Sequence, residues 1–313
     1  MSTALPAALE DAPAQDPHAD GTGRRAIGPV RPGDAARRTA ITRTGPAKAL
    51  SRAVAIPLRS AETTGRGVIM AATVFRYAVT DTLTLRLPFG ELITQAWILL
   101  KVTALPAILM AIPFGAMVAV QISGLVNEVG ANSLVGSATG VAVLRQGAPV
   151  TAGLLMGGAA AAAIASDFGA RAIREELDAL RSLGIDPVRR LVVPRFLALM
   201  LITPILVIVV LAMGVGAAFV IATVVNGVTP GSFWLSFGSF AKMVDLWFTL
   251  GKGFCFAAIV AVVSSQRGME AKGGPRGVAD AVNASVVLNV LLILAVNLAI
   301  TQLQSMFFPM AVA

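Results

Sequence analysis

Side chains that do covalent or metal chemistry are scarce in this 313-residue chain. The single histidine, His18, lies in a Pro/Ala/Asp-rich stretch, and the single cysteine, Cys255, lies inside an apolar segment. A His-based triad, an intramembrane zinc site, a thiolate cluster and an intrachain disulfide all lack raw material, so catalytic and metal-ligating residues are expected to be none. The one Gly-Lys pair, Gly251-Lys252, is followed by Gly253 where a phosphate-cradling loop requires Ser or Thr. What remains is charge. Arg171, Arg174, Glu175, Glu176, Asp178 and Arg181 crowd into one short stretch, with Arg171/Glu175 and Arg174/Asp178 spaced for i,i+4 pairs on a helix. Such a face either satisfies itself in water or docks another protein.

The elements that hold these charges are read from hydropathy. Hydrophobic residues make up 56% of the chain and charged residues 13%, with a mean hydropathy of +0.78; a soluble domain has about a quarter charged residues. No single water-soluble core hides that much apolar surface, and several segments approach the ~20 residues that cross a bilayer. The fold class is an all-α polytopic membrane protein. Five spans are expected, roughly at 103–122, 149–166, 192–225, 247–263 and 285–307, with Pro204 placed to bend the third. Ahead of them, GVIMAATVFRYAVTDTLTLRL from Gly67 to Leu87 puts Met70, Val74 and Tyr77 on one face and Arg76 and Arg86 away from it, which suits a helix lying in the membrane interface. Residues 1–65 are rich in Ala, Pro, Gly, Asp and Arg, without sustained apolar periodicity, and are expected to be a disordered extension with no signal peptide.

Basic residues set the orientation. Lys and Arg number thirteen in 1–102, one in 123–148, six in 167–195, two in 226–252 and three in 264–280. This alternation puts the N-terminus and the loops at 167–190 and 264–284 in the cytoplasm and the C-terminus outside. The net charge of +8 is distributed between spans rather than gathered on one soluble surface, so it does not point to nucleic acid.

The cytoplasmic stretch DFGARAIREELDALRSLGIDPVRRLVVP, from Asp167 to Pro194, reads as a short amphipathic helix. Asp167 is suited to cap it, Ile173, Leu177 and Leu180 to form its apolar face, and Gly184 to close it. Docking gains weight over the solvated face because a membrane protein with no motor of its own receives work from something on its cytoplasmic side.

Three blocks then carry a resemblance: Leu144 to Val150 (LRQGAPV), Ala163 to Gly169 (AIASDFG), and Ile173 to Arg195 (IREELDALRSLGIDPVRRLVVPR). They resemble successive motifs of the MlaE/YrbE family of ABC-transporter permeases, and RGMEAKGGPRGVADAVNASVV from Arg267 to Val287 resembles that family's second cytoplasmic Gly-rich loop. Residues 66–313 would thus be an MlaE/YrbE-like permease domain. The resemblance implies a multi-pass subunit of the cell inner (plasma) membrane that pairs with a second YrbE-like permease and moves lipid. It implies a cytoplasmic ABC ATPase dimer, holding the ATP and magnesium, docked through Arg174, Glu175, Glu176, Asp178 and Arg181, with no cofactor in this chain. IREELDA and AKGGPRGVADAVN look closest to the YrbE permeases of actinobacterial Mce systems, which would add Mce proteins as partners and lipid or sterol uptake as the task. The second loop, with Glu270, Lys272, Gly273, Gly274 and Pro275, is expected to be a secondary coupling surface whose turn follows from the Gly-Gly-Pro run. Two positions depart from the family pattern: Gly158-Ala159 stands where many members have Gly-Arg, and Gln146 where Glu is usual.

Within the spans, Gly153 and Gly157 with the run 159–163 make a strip nearly free of side chains, read first as internal packing and second as a subunit interface. Gly214 and Gly216 carry the same two readings. Lys101, Glu128, Asp245 and Lys252 fall near expected span ends and are read as interface anchors. Missing midplane charges disfavour a secondary transporter, and the lack of paired carboxylates disfavours an intramembrane enzyme. A non-transporting scaffold subunit has the same apolar spans and stays open.

Overall fold

The computed structural model describes residues 46–84, 89–128, 130–131 and 134–307, with side chains from Gly65 onward. Among them every regular element is helical: α1 (Pro46–Leu83), α2 (Phe89–Glu128), α3 (Val135–Ile173), α4 (Glu176–Ser182), α5 (Val188–Val225), α6 (Pro230–Phe240), α7 (Met243–Met269) and α8 (Pro275–Phe307). Five of these, α2, α3, α5, α7 and α8, are long and apolar enough to cross a membrane. Each expected span lies inside one of them, and every helix runs on beyond its span at one end or both. Hydropathy marks only the part that meets hydrocarbon, whereas backbone hydrogen bonding continues as long as helix formers follow.

The chain divides into two units, residues 1–59 and 60–313. Of the first, residues 46–59 form the start of α1. Residues 1–45 of the expected disordered extension lie outside the described residues, as do Arg86 and the last residues of the expected interfacial helix. Helix α1 begins at Pro46 rather than at Gly67, because PAKALSRAVA is rich in strong helix formers although it lacks an apolar stripe. Met70, Val74 and Ala78 of α1 are buried in the main core, with Tyr77 packed against it.

That core is built from small residues and branched aliphatics. Helix α2 packs most extensively on α5, and α7 sits among α3, α5 and α8. A Cβ at Gly115 would fall on the backbone of Gly214, so the α2–α5 crossing needs glycine. The strip on α3 faces inward: a Cβ at Gly153 would meet Phe256 at 2.6 Å, and one at Gly157 would meet Ile293 at 2.9 Å. Gly153, Gly157 and Gly214 therefore serve internal packing, as close helix approach requires, whereas Gly216 faces open space.

Helix α6 has no counterpart among the expected elements. Its Phe233, Trp234 and Phe237 gather with Phe219 of α5 at centroid separations of 5.3 to 6.4 Å, and Phe233 is fully buried against Val135, Ala222 and Val228. Eleven residues are too few to span, so hydropathy alone assigns no element here.

Candidate functional site

The charged helix after the second span exists, with a different start. Asp167 does not cap it; Asp167 sits inside α3, which runs through the Ala-rich stretch to Ile173. There its carboxylate accepts from Arg171 Nε at 3.1 Å and from Arg195 of α5, whose guanidinium also lies over the Phe168 ring at 4.2 Å. The helix breaks at Glu175, whose φ of 59° and ψ of 16° place it in the left-handed region. A new helix, α4, starts at Glu176 in a different direction.

This break rewrites the expected pairing. The i,i+4 pairs Arg171/Glu175 and Arg174/Asp178 need one continuous helix, and the left-handed residue rotates everything after it out of that register. Glu176 instead receives both Arg171 (3.4 Å) and Arg174 (2.8 Å), and Asp178 pairs with Arg181 at 2.8 Å. Ile173, Leu177 and Leu180 do not form one apolar face either. Leu177 alone is buried and fastens α4 to the bundle.

Gly184 closes α4 as its residue type suggests, at φ 74°, with the Ile185 N–H donating to the Leu180 carbonyl across a Schellman-type turn. Two residues on, the Asp186 carboxylate accepts from the Val188 N–H at 2.9 Å and caps the start of α5. The segment Gly-Ile-Asp-Pro is thus a stop followed directly by a start. Between α4 and the near ends of α2 and α5 lies an open pocket of about 460 Å³, floored by Ala179, Leu180, Leu183 and Leu191 and rimmed by Glu91, Arg171, Glu176 and Arg190.

At the same end, the second loop turns through Gly273 (φ 86°) and Gly274 (φ 77°), after which Pro275 opens α8. Glu270 points to α1, pairing with Arg66 at 3.4 Å, while Lys272 is exposed. Helix α1 also engages the first loop, since the Asp81 carboxylate takes both Arg189 Nη2 (2.6 Å) and Arg189 Nε (3.0 Å). Each loop is thus tied to α1. Val278 of α8 packs over Gly169 of α3, so the start of the last span touches the helix that carries α4.

The opposite end holds a polar cluster that the anchor reading misplaced. Asp245 and Lys252 are buried rather than set at an interface. Asp245 pairs with Arg145 at 2.8 Å and accepts from Gln304 Nε2 at 3.0 Å, while Lys252 Nζ donates to the Arg145 carbonyl and to Thr301 Oγ1, both at 2.9 Å. The cause lies in Pro149, which has no N–H to offer the Arg145 carbonyl four residues back. Residues 143–147 form a π-helical turn in which the Ala148 N–H reaches the Val143 carbonyl, leaving the Leu144 carbonyl free as well. Thr249 Oγ1 donates to that second oxygen at 2.7 Å. Gln146, where the family usually has Glu, bonds Thr301 and Asn297 of α8. The signal was present in the sequence: Asp245, Thr249 and Lys252 on α7, and Asn297, Thr301 and Gln304 on α8, each recur at i, i+4 and i+7 on an otherwise apolar helix.

Among the described residues, no three His, Cys, Asp or Glu side chains come together as a metal site. The chemistry available is therefore recognition at the charged end and cross-bracing at the other.

Residues 92–303, covering three of the five long helices in full and most of α2 and α8, match the family model described as Permease MlaE. A probable ABC transporter permease of Synechocystis is 32% identical over 54% of this chain and 64% of its own length, so the chain spans just under two thirds of that relative. A probable ABC transporter permease of Rickettsia typhi is 28% identical over 68% of this chain and 83% of its own length. The intermembrane phospholipid transport system permease protein MlaE of Haemophilus influenzae is 26% identical over 69% of this chain and 84% of its own length. With five helices long and apolar enough to cross a membrane, wholly or mostly inside that match, the chain is a multi-pass inner-membrane protein that belongs to the MlaE family of ABC transporter permeases.

Proposed function

We propose that this permease takes up a lipid or sterol through the inner membrane, driven by a separate cytoplasmic ATPase dimer that docks on α4. The observation that carries the reading is α4 itself: a short charged helix held to the bundle by Leu177 and presented between two spans, in a chain without a phosphate-binding loop of its own. The phospholipid-transport name of the Haemophilus relative supports lipid as cargo. So does the exposed apolar stripe Val287, Leu291, Leu294 and Leu298 on α8, a surface fit for acyl chains or for a second permease. In this reading the 167–190 and 264–284 loops face the cytoplasm, the N-terminus is cytoplasmic and the C-terminus outside. ATP and magnesium belong to the ATPase. A second YrbE-like permease completes the membrane unit, and Mce proteins deliver a lipid or sterol taken up by the cell.

The test is reconstitution. Permease and ATPase in vesicles are expected to transfer a fluorescent phospholipid only with ATP, and Glu176→Lys/Asp178→Lys is expected to release the ATPase while leaving the permease in the membrane. Copurification and stimulated ATP hydrolysis unchanged in that variant would overturn docking through α4.

A further inference from the structure

We infer that α6 is laid on the bilayer surface at the end of the bundle opposite α4, with Trp234 and Leu235 seated among the lipid headgroups and the first carbons of the acyl chains. The helix has three distinct sides. Successive residues turn by about 100°, so Phe233 and Phe237 share one side, Trp234 and Leu235 fall on a second around Gly238, and Ser232, Ser236 and Ser239 line the third. The phenylalanine side is packed on protein. Phe233 is fully buried, and α6 lies so close to the first turns of α3 that a Cβ at Gly136 would strike the Phe233 carbonyl and one at Gly140 the Phe237 ring. The second side is bare, with Trp234 49% and Leu235 78% exposed. A helix with one flank on the bundle, one apolar and one hydroxylated fits a boundary where protein, lipid and water meet.

The length of α5 shows that lipid lies at this level. Arg195 is the last charged residue before Lys242, so nothing in between resists the hydrocarbon. Phe219 of α5 has its ring centroid 5.4 Å from that of Trp234. It comes roughly 24 residues after Arg195, or about 36 Å along a helix. A hydrocarbon core is about 30 Å thick and the bilayer with its headgroups about 40–45 Å, so a helix entering the core near Arg195 carries Phe219 just past the far edge, into the headgroup layer. Helix α7 gives the same level independently. Its exposed Trp247 stands roughly 20 residues, or about 30 Å, from Arg267 near its other end.

Both indoles thus fall at the depth where an apolar ring and an N–H donor are satisfied together. Apolar surface is also continuous through the chain here: Val220 and Val224 of α5 and Met243 and Val244 of α7, on either side of α6 in sequence, are exposed as well. So placed, α6 pins the start of α3 at the bilayer surface, and with it the turn that carries Arg145.

The experiment uses the full-length permease in phosphatidylcholine nanodiscs. In a Trp97→Phe/Trp247→Phe variant Trp234 is the sole tryptophan. Acyl chains brominated near the headgroup are expected to at least halve its emission, whereas aqueous iodide leaves it nearly unchanged. Nitroxide labels on Leu235→Cys and on Ser239→Cys, each in a Cys255→Ala background that keeps every tryptophan, repeat the measurement. The first is expected to be relaxed mainly by oxygen, which concentrates in lipid, and the second mainly by a water-soluble nickel chelate. That pattern supports the placement. Indifference of Trp234 or of the label at 235 to the lipid-borne quencher overturns it: if the aqueous quencher reaches the probe the flank faces water, and if neither does the flank is covered by protein. Relaxation of the label at 239 mainly by oxygen overturns it too, because α6 is then sunk in hydrocarbon.

Discussion

The ammonium of Lys252 stands 2.9 Å from the carbonyl oxygen of Arg145, the oxygen that Pro149 leaves without a helical donor. A lysine more than a hundred residues away in sequence thus replaces a backbone N–H. Lys252→Met is expected to destabilise the protein by about 1–3 kcal/mol, the usual cost of a buried polar group left unpaired. In a Pro149→Ala background the residue at 149 has its own N–H to offer, so the same substitution is expected to cost less. Unfolding midpoints of the four proteins in one detergent measure the coupling. Equal costs in both backgrounds would show that the carbonyl is not what Lys252 satisfies.

Asp245 and Arg145 form the deeper ion pair of the structure, at 2.8 Å with side-chain exposures of 3% and 15%. Removing one member leaves a charge without its partner, so Asp245→Asn is expected to cost about 3–5 kcal/mol. Asp245→Asn combined with Arg145→Gln should recover part of that loss. A double variant no more stable than Asp245→Asn alone would assign the cost to the lost Gln304 bond instead.

The Asp81–Arg189 pair is the counter-example, because the arginine is 48% exposed. Solvent screening keeps such pairs weak. Asp81→Asn is expected to lower the unfolding midpoint slightly at low salt and not at all at high salt. A salt-independent loss as large as that of Asp245→Asn would contradict this.

Gly115 and Gly216 separate packing from propensity. Gly115→Ala pushes a methyl group into the Gly214 backbone and is expected to cost about 1–3 kcal/mol as overpacking. Gly216→Ala meets nothing within 4 Å and gains helix propensity, so it should be neutral or stabilising by roughly 0.5–1 kcal/mol. Similar stabilities for the two variants would mean that α2 and α5 do not approach this closely.

Orientation is tested with single cysteines in a Cys255→Ala background. Ser182→Cys and Lys272→Cys, both at exposed positions of the two basic loops, should be shielded from an impermeant thiol reagent in intact cells, and Ser239→Cys on α6 should be labelled. Labelling of Ser182→Cys ahead of Ser239→Cys would invert the chain and put α4 on the wrong side for a cytoplasmic ATPase.

Local information in the sequence was enough for the spans, for the Gly184 stop, for the Gly273-Gly274-Pro275 turn, and for the charged helix between spans two and three. Each depends on residues a few positions apart: a window of apolar side chains, a glycine free to take positive φ, a proline that begins a helix. The inward strip on α3 was legible for the same reason, since Gly153 and Gly157 lie one turn apart. Tertiary structure decided the rest. Asp167 has the residue type of a cap, but Arg195, reached only when α5 folds back along α3, holds that carboxylate inside a continuous helix. Lys252 looked like an anchor because it lies near the start of its span, and became a buried donor because α3 brings it an oxygen that Pro149 had left unpaired. A side chain's own neighbours in sequence determine whether it can be helical, but the cost of burying its charge is set by partners that only folding supplies.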